Sequence, residues 1–230
     1  TVTCKNCRAT VPLLKTRWLS KKDSKRVLLT MEPNEARTGV VFGVQDNVPR
    51  VGGNTAQRRE HDRRIAAGTM SRSGGTCPCC NTIMEMGDLR VEGQQGRVGA
   101  TMTAVVAEGH DGKEYRLPSE GELRAASEAA GFLAGAFGEV PWGIPEEPTP
   151  TNSQYSGVAN YGFARWRDLF TSRQLLAIGT LLEHTRAGRE AMRAEGYPDD
   201  WGEAIQAYLS LILDRAVNYL STVCVWEPVA

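Results

Sequence analysis

Six cysteines occur in the 230-residue chain, and four of them form two Cys-x-x-Cys pairs, Cys4-Lys5-Asn6-Cys7 and Cys77-Pro78-Cys79-Cys80. Such a turn carries two sulfurs to one side of a tight knuckle. Two knuckles together supply the four thiolates that a tetrahedral zinc ion takes in structural sites. The spacing points to Cys4, Cys7, Cys77 and Cys80 as ligands of one structural Zn2+. Cys79 lies inside the second knuckle and leaves Cys77/Cys79 open as a competing pair, although the x-x spacing of the first knuckle favours Cys77/Cys80. A redox role fits less well, because two pairs are present and neither opens a helix after a strand. Disulfides need an oxidising compartment, which nothing in the chain indicates, whereas metal-held thiolates suit a reducing cytoplasm. After each knuckle the backbone often turns left-handed. Asn81 tolerates that conformation, and Arg8 in the equivalent place suits it less well than glycine.

Other reactive residues are scattered. His61 lies in the run Arg58-Arg59-Glu60-His61-Asp62-Arg63-Arg64, His110 in a turn and His184 beside Glu183, and they form no readable His/carboxylate cluster. Cys224 is expected as a buried thiol on the last helix. The chain has no Gly-x-Gly-x-x-Gly after a strand, no Walker motif, no Gly-x-Ser-x-Gly elbow and no His-Glu-x-x-His. It also lacks the Asp/Asn-Pro-Pro-Tyr motif that holds a flipped adenine in amino-methyltransferases. An independent enzyme would need an unfamiliar site, for which Asp168, Arg173 and Glu183 are the candidates. The expectation is therefore a chain with no complete active site.

Lys and Arg balance Asp and Glu at 27 each, but unevenly: residues 1–76 carry 15 cations against 6 carboxylates, and residues 77–230 carry 12 against 21. The basic half offers a phosphate-binding face; the acidic half does not. Candidate nucleic-acid contacts are Arg58, Arg59, Arg63 and Arg64, together with Lys15, Arg17, Lys21, Lys22, Lys25 and Arg26 around Trp18. A solvated basic surface without a partner is the plainer reading of the same charges. No apolar run approaches the ~18 residues of a membrane span. The absence of an initiator Met, with a first ligand candidate at position 4, suggests a segment of a longer chain.

The elements that must position these residues divide into two kinds. Residues 25–31 and 39–44 read as strands, and residues 46–60 as a polar surface loop. Residues 101–107 and 113–117 flank the turn His110-Asp111-Gly112 as a hairpin. Ser119-Glu120-Gly121-Glu122 is a capping box that opens a helix to about Ala130, and residues 131–150 read as a Pro/Gly-rich linker. Thr171-Ser172-Arg173-Gln174 is a second capping box; Arg173 is a further candidate nucleic-acid contact, and the box gives it and Gln174 a structural reading as well. Behind it Leu175, Ile178, Leu182 and Thr185 share one face. A last helix from Asp199 or Asp200 has an apolar face of Ile205, Tyr208, Leu209, Ile212, Ala216, Tyr219 and Val223, expected to turn inward. The fold class is α+β: a β-rich zinc-ribbon domain over 1–118, a helix and linker over 119–150, and a helical region over 151–230.

The run Cys4-Lys5-Asn6-Cys7-Arg8-Ala9-Thr10-Val11-Pro12-Leu13-Leu14, followed by Arg17-Trp18-Leu19-Ser20-Lys21-Lys22, resembles the zinc-ribbon region of a family of bacterial and archaeal adenine-specific DNA methylases, large proteins with an N-terminal DUF1156 region. Further similar stretches follow in order: Thr76-Cys77-Pro78-Cys79-Cys80, Gly96-Arg97-Val98-Gly99, Ala104-Val105-Val106, Tyr161-Gly162, Asp214-Arg215 and Trp226. The most specific is Asp168-Leu169-Phe170-Thr171-Ser172-Arg173-Gln174-Leu175-Leu176. The resemblance implies an insertion between the S-adenosylmethionine loop and the catalytic motif of an N6-adenine methyltransferase, in a restriction-modification or phage-defence setting. It implies structural zinc in this segment and S-adenosylmethionine only in the full-length protein. The implied partners are DNA and the rest of the methyltransferase chain, with no membrane and a cytoplasmic location. No catalytic residue carries over. The alternative is a zinc-stabilised scaffold that binds a protein through its acidic helical half and never touches nucleic acid.

Overall fold

A computed structural model describes residues 1–137, 143–151 and 157–229. In chain order the elements are β1 (Val2–Thr3), β2 (Thr10–Val11), β3 (Trp18–Lys21), β4 (Arg26–Pro33), β5 (Val40–Gln45), α1 (Thr55–Ile65), β6 (Met70–Ser71), β7 (Gly74–Thr76), β8 (Ile83–Glu85) and α2 (Met86–Gln94). They continue with β9 (Val105–Gly109), β10 (Gly112–Arg116), α3 (Glu120–Gly135), α4 (Ser172–Ala194) and α5 (Asp199–Leu220). The α+β class is as expected from the sequence: short antiparallel sheets, then helices.

Two compact units divide the chain, and neither is continuous. The first comprises Thr1–Glu120, Thr151–Gly162 and Trp226–Ala230; the second comprises Gly121–Pro150 and Phe163–Val225. The first boundary lies between Glu120 and Gly121. The later segments of the first unit were not foreseen, because what binds them is a handful of backbone contacts rather than a pattern. Lys21 N donates to Pro228 O at 2.8 Å, and Trp226 Nε1 to Leu19 O at 3.2 Å. Gly93 and Gly162 bring α2 against a short 3-10 turn at Val158–Tyr161 so closely that a Cβ on Gly93 would lie 2.1 Å from Tyr161 O.

Within the first unit, β3, β4 and β5 form an antiparallel meander with Leu28 opposite Gln45 and Met31 opposite Phe42. Trp18, Leu28, Val48 and Ala66 make one small core beside it. A second core gathers Val2, Cys4, Ala9, Val11, Cys77, Cys79, Met84 and Leu89 around the two knuckles. The expected strands at 25–31 and 39–44 are β4 and β5, and the expected hairpin is β9–β10 with its turn in place.

The expected loop over 46–60 is corrected from residue 55 onward, where α1 begins. Asn54 accepts from Gln57 N at 2.9 Å and Gln57 Oε1 accepts from Asn54 N at 2.9 Å, a reciprocal cap. The helix escapes detection because it has almost no apolar stripe; only Ile65 and the following Ala66 reach the core.

In the second unit α3 runs to Gly135, five residues past the expected end near Ala130, so the linker is shorter than 131–150; residues 138–142 of that linker lie outside the described residues. Thr171 caps α4 as expected, its N–H donating to Gln174 Oε1 at 2.8 Å. Leu175, Ile178, Leu182 and Thr185 share its half-buried side. The expected inward face of α5 is corrected. Ile205, Tyr208, Leu209, Ile212 and Tyr219 are exposed, and Gly202, Gln206, Leu213, Ala216, Val217 and Leu220 are the more buried side. The helix has apolar residues over a broad arc of which only one margin, through Leu213, Ala216 and Leu220, is half-buried, so periodicity alone could not say which part of the arc packs. It also ends at Leu220, leaving Val223 and Cys224 beyond it, and Cys224 is exposed rather than buried.

Candidate metal centre and basic surface

Each knuckle is the turn of a small antiparallel ladder. Val2 pairs with Val11 and Thr3 with Thr10 around the first; Thr76 pairs with Ile83 around the second. The two turns share one backbone pattern. Cys4 N donates to Ala9 O at 2.8 Å and Arg8 N to Cys4 O at 3.1 Å. Cys77 N donates to Thr82 O at 2.9 Å and Asn81 N to Cys77 O at 2.8 Å. Arg8 and Asn81 sit at matched places with φ of 63° and 61°, the left-handed conformation anticipated for both.

The strands bring the four ligand candidates together. Cys4 Sγ lies 3.7 Å from Cys80 Sγ, and Cys7 Sγ lies 3.6 Å from Cys77 Sγ. All four sulfurs fall within 4.8 Å of one another. Sulfurs about 2.3 Å from a zinc ion at tetrahedral corners stand about 3.8 Å apart, so the set fits a four-thiolate metal ion. Among the described residues this is the one such cluster. Cys79 is not in it: its thiol is buried and donates to Gly39 O at 3.3 Å, which removes it as a competing ligand.

The thiols are electrostatically unequal. Burial pushes Cys77 up to about 12, while hydrogen bonds from the Thr82 side chain and amide pull Cys80 down to about 5. A dication replaces the protons of such a set, and Lys5 brings a positive charge to the first knuckle. Lys5 Nζ also reaches Asp88 Oδ2 at 2.7 Å, and the same oxygen accepts from Glu85 N at 2.8 Å, tying the first knuckle to the start of α2.

The basic residues separate into two groups. Arg17 is turned inward: its guanidinium donates to Ile65 O at 2.7 Å, Ala67 O at 2.9 Å and Leu29 O at 3.4 Å, closing the C-terminal end of α1. Arg26 is 9% exposed, lies 4.7 Å over the Trp18 ring and pairs with Asp62 at 2.5 Å. Lys21 pairs with the same Asp62 at 3.2 Å, and Lys25 with Asp46 at 3.1 Å. Lys15, Arg58, Arg59, Arg63 and Arg64 are exposed and Lys22 is half-exposed; Arg63 pairs with Glu60. Arg173 is exposed on the first turn of α4, in the second unit, apart in the chain from the other ten candidates. Asp168 accepts from Arg165 N at 2.8 Å as the cap of a short 3-10 turn, a structural use of that carboxylate.

Sequence reasoning missed Arg50 and the anchoring role of Asp62. The Asn54/Gln57 cap was the available signal: once α1 is seen as a helix, Arg58 and Asp62 fall one turn apart on one face.

No family model, curated protein or solved structure matches this chain. Among the described residues no helix is long and apolar enough to cross a membrane.

Proposed function

We propose that this chain is a zinc-bearing accessory region of an adenine-specific DNA methyltransferase, which holds the duplex by its phosphates and carries no active site of its own. Zinc is the metal of Cys4, Cys7, Cys77 and Cys80, and S-adenosylmethionine belongs to the remainder of the methyltransferase chain. The observation that carries the metal assignment is the convergence of four thiols from two separate knuckles within 4.8 Å. The DNA assignment leans on the resemblance and on α1, a cationic helix with no acid in its first turn and with Arg58, Arg59, Arg63 and Arg64 exposed. Extrusion of a base for methylation strains the flanking duplex, and phosphate contacts beside it hold that duplex in place without reading its sequence.

A second reading, a zinc-stabilised scaffold for a protein partner, has one observation in its favour: the exposed apolar stripe on α5, where Tyr208 is 71% and Ile212 64% exposed.

Metal analysis of protein purified without added zinc should find about one zinc per chain. Cys77→Ser should lose the metal and unfold the first unit, whereas Cys79→Ser should keep both metal and fold. Retention of full metal by Cys77→Ser overturns the ligand set. Binding to a mixed-sequence duplex should weaken steeply between about 50 and 200 mM salt. A folded, zinc-loaded protein that binds no duplex at low salt leaves the scaffold reading.

A further inference from the structure

A cleft of about 140 Å3 in the first unit is lined by four cations, Lys21, Arg26, Arg50 and Arg58, and by two carboxylates, Asp23 and Asp62. Its charges do not cancel internally. Asp62, 13% exposed at the base, is shared by Arg26 at 2.5 Å and Lys21 at 3.2 Å. Arg26 is further fixed by donation to Val48 O at 3.1 Å and by the Trp18 ring beneath it. Asp62 therefore serves as a pedestal for two cations, and Lys21 has further N–H donors beyond the one it gives to Asp62. Arg50 pairs with Asp23, but that carboxylate is 91% exposed, and ion pairs of that kind exchange readily. Neither carboxylate pairs with Arg58, which stands one turn before Asp62 on the same side of α1.

The cleft thus has a cationic surplus, with guanidinium groups brought to it by α1 and by the chain after β5. Fork-shaped guanidinium donors together with an ammonium suit a tetrahedral oxyanion. We propose that this cleft seats one phosphate group of a nucleic-acid backbone, held by Arg58, Arg50 and Lys21. The source of the phosphate rests on the DNA reading above; the seat itself rests on the charge geometry. Arg59, Arg63 and Arg64 do not line the cleft and act on the duplex as diffuse charge.

The test uses the zinc-loaded chain with two probes, inorganic phosphate and a short mixed-sequence duplex, on wild type, Arg58→Gln, Arg50→Gln and Arg59→Gln. Arg58 and Arg50 are exposed, so their substitution should leave the melting temperature unchanged. Phosphate should shift the Nε–H resonances of Arg58 and Arg50, and Arg58→Gln should weaken phosphate roughly tenfold while Arg59→Gln leaves it unaltered. With the duplex, Arg58→Gln should reduce the salt slope by about one. If duplex binding persists unchanged in Arg58→Gln and Arg50→Gln, the seat is wrong and the DNA reading stands. If phosphate binds and depends on Arg58 but no duplex does, the seat stands, its ligand is a free phosphate and the DNA reading falls. If wild type binds neither probe, both are overturned.

Discussion

Arg8 and Asn81 hold the same left-handed place in the two knuckles, and each directs an amide to the first cysteine of its own turn. A β-branched side chain is strained there by roughly 1–2 kcal/mol, and glycine is not. Asn81→Val should lower the unfolding free energy of the metal-loaded protein, measured by chemical denaturation, by about 1–2 kcal/mol, while Asn81→Gly should match or exceed wild type. Asp62 carries a different kind of constraint. Burial raises its pKa, but the hydrogen bonds from Arg26 and Lys21 outweigh it and hold the carboxyl below its ordinary value. Its folded-state pKa is therefore depressed, so its stabilisation is present above the unfolded value of about 3.9 and is lost as pH falls through the folded one. Urea midpoints from pH 6 downward should decline faster below about pH 4 in wild type than in Asp62→Asn, which should be less stable near neutrality. At this scale the sequence was informative about the ligands, since thiol pairs and their spacing are local. It was silent on Asp62 and Arg17, because whether a charge faces water or a carbonyl is decided by elements distant in the chain.

Periodicity is a guide to an element only where one side of it differs from the other. The α1 helix has too few apolar residues to form a stripe and holds by its caps, by Arg17 on its last carbonyls and by Trp18 Nε1 on Asp62 O at 3.2 Å. The α5 helix has a broad apolar arc, wider than the side that packs, and its half-buried side includes Leu213 and Val217 rather than Ile205 and Ile212. Buried Gly202 lies on that same side, where an added Cβ would meet Arg189 Cγ at 3.7 Å. Leu213→Ala should cost about 1–2 kcal/mol in chemical denaturation, and Ile212→Ala within about 0.5 kcal/mol of nothing. Equal losses would mean that the stripe containing Ile212 is covered in the folded protein. The capping box at Thr171 was legible because it is chemistry between residues three apart, whichever way the helix later turns; the Asn54/Gln57 cap is the same chemistry and goes unnoticed because no apolar stripe follows it.

On the scale of the whole chain, the first unit takes back two segments that the sequence had assigned to the helical region. The chain near Pro228 returns to β3, where Pro228 O accepts from the Lys21 amide at 2.8 Å. Removing residues 226–230 should leave that amide without its partner, and its hydrogen exchange should accelerate by about tenfold or more while α4 and α5 amides keep their protection. Unchanged protection at Lys21 would show that this return of the chain contributes nothing to the first unit. Such returns were illegible because two hydrogen bonds and one half-exposed tryptophan leave no periodic trace.

The separation of the two knuckles has a consequence in time. Cys7 and Cys77 are 70 residues apart in the chain. At roughly 5–20 residues per second of synthesis, the first cysteine pair waits several seconds for the second to exist. On the proposed zinc assignment it is in that interval a two-thiolate half-site, open to metal exchange with other thiols. If the four thiols hold the zinc proposed above, arrival of the second pair lets a single ion close the long intervening loop, β3 to β5 and α1 included, so that capture of the metal and commitment of that loop to its fold become one event.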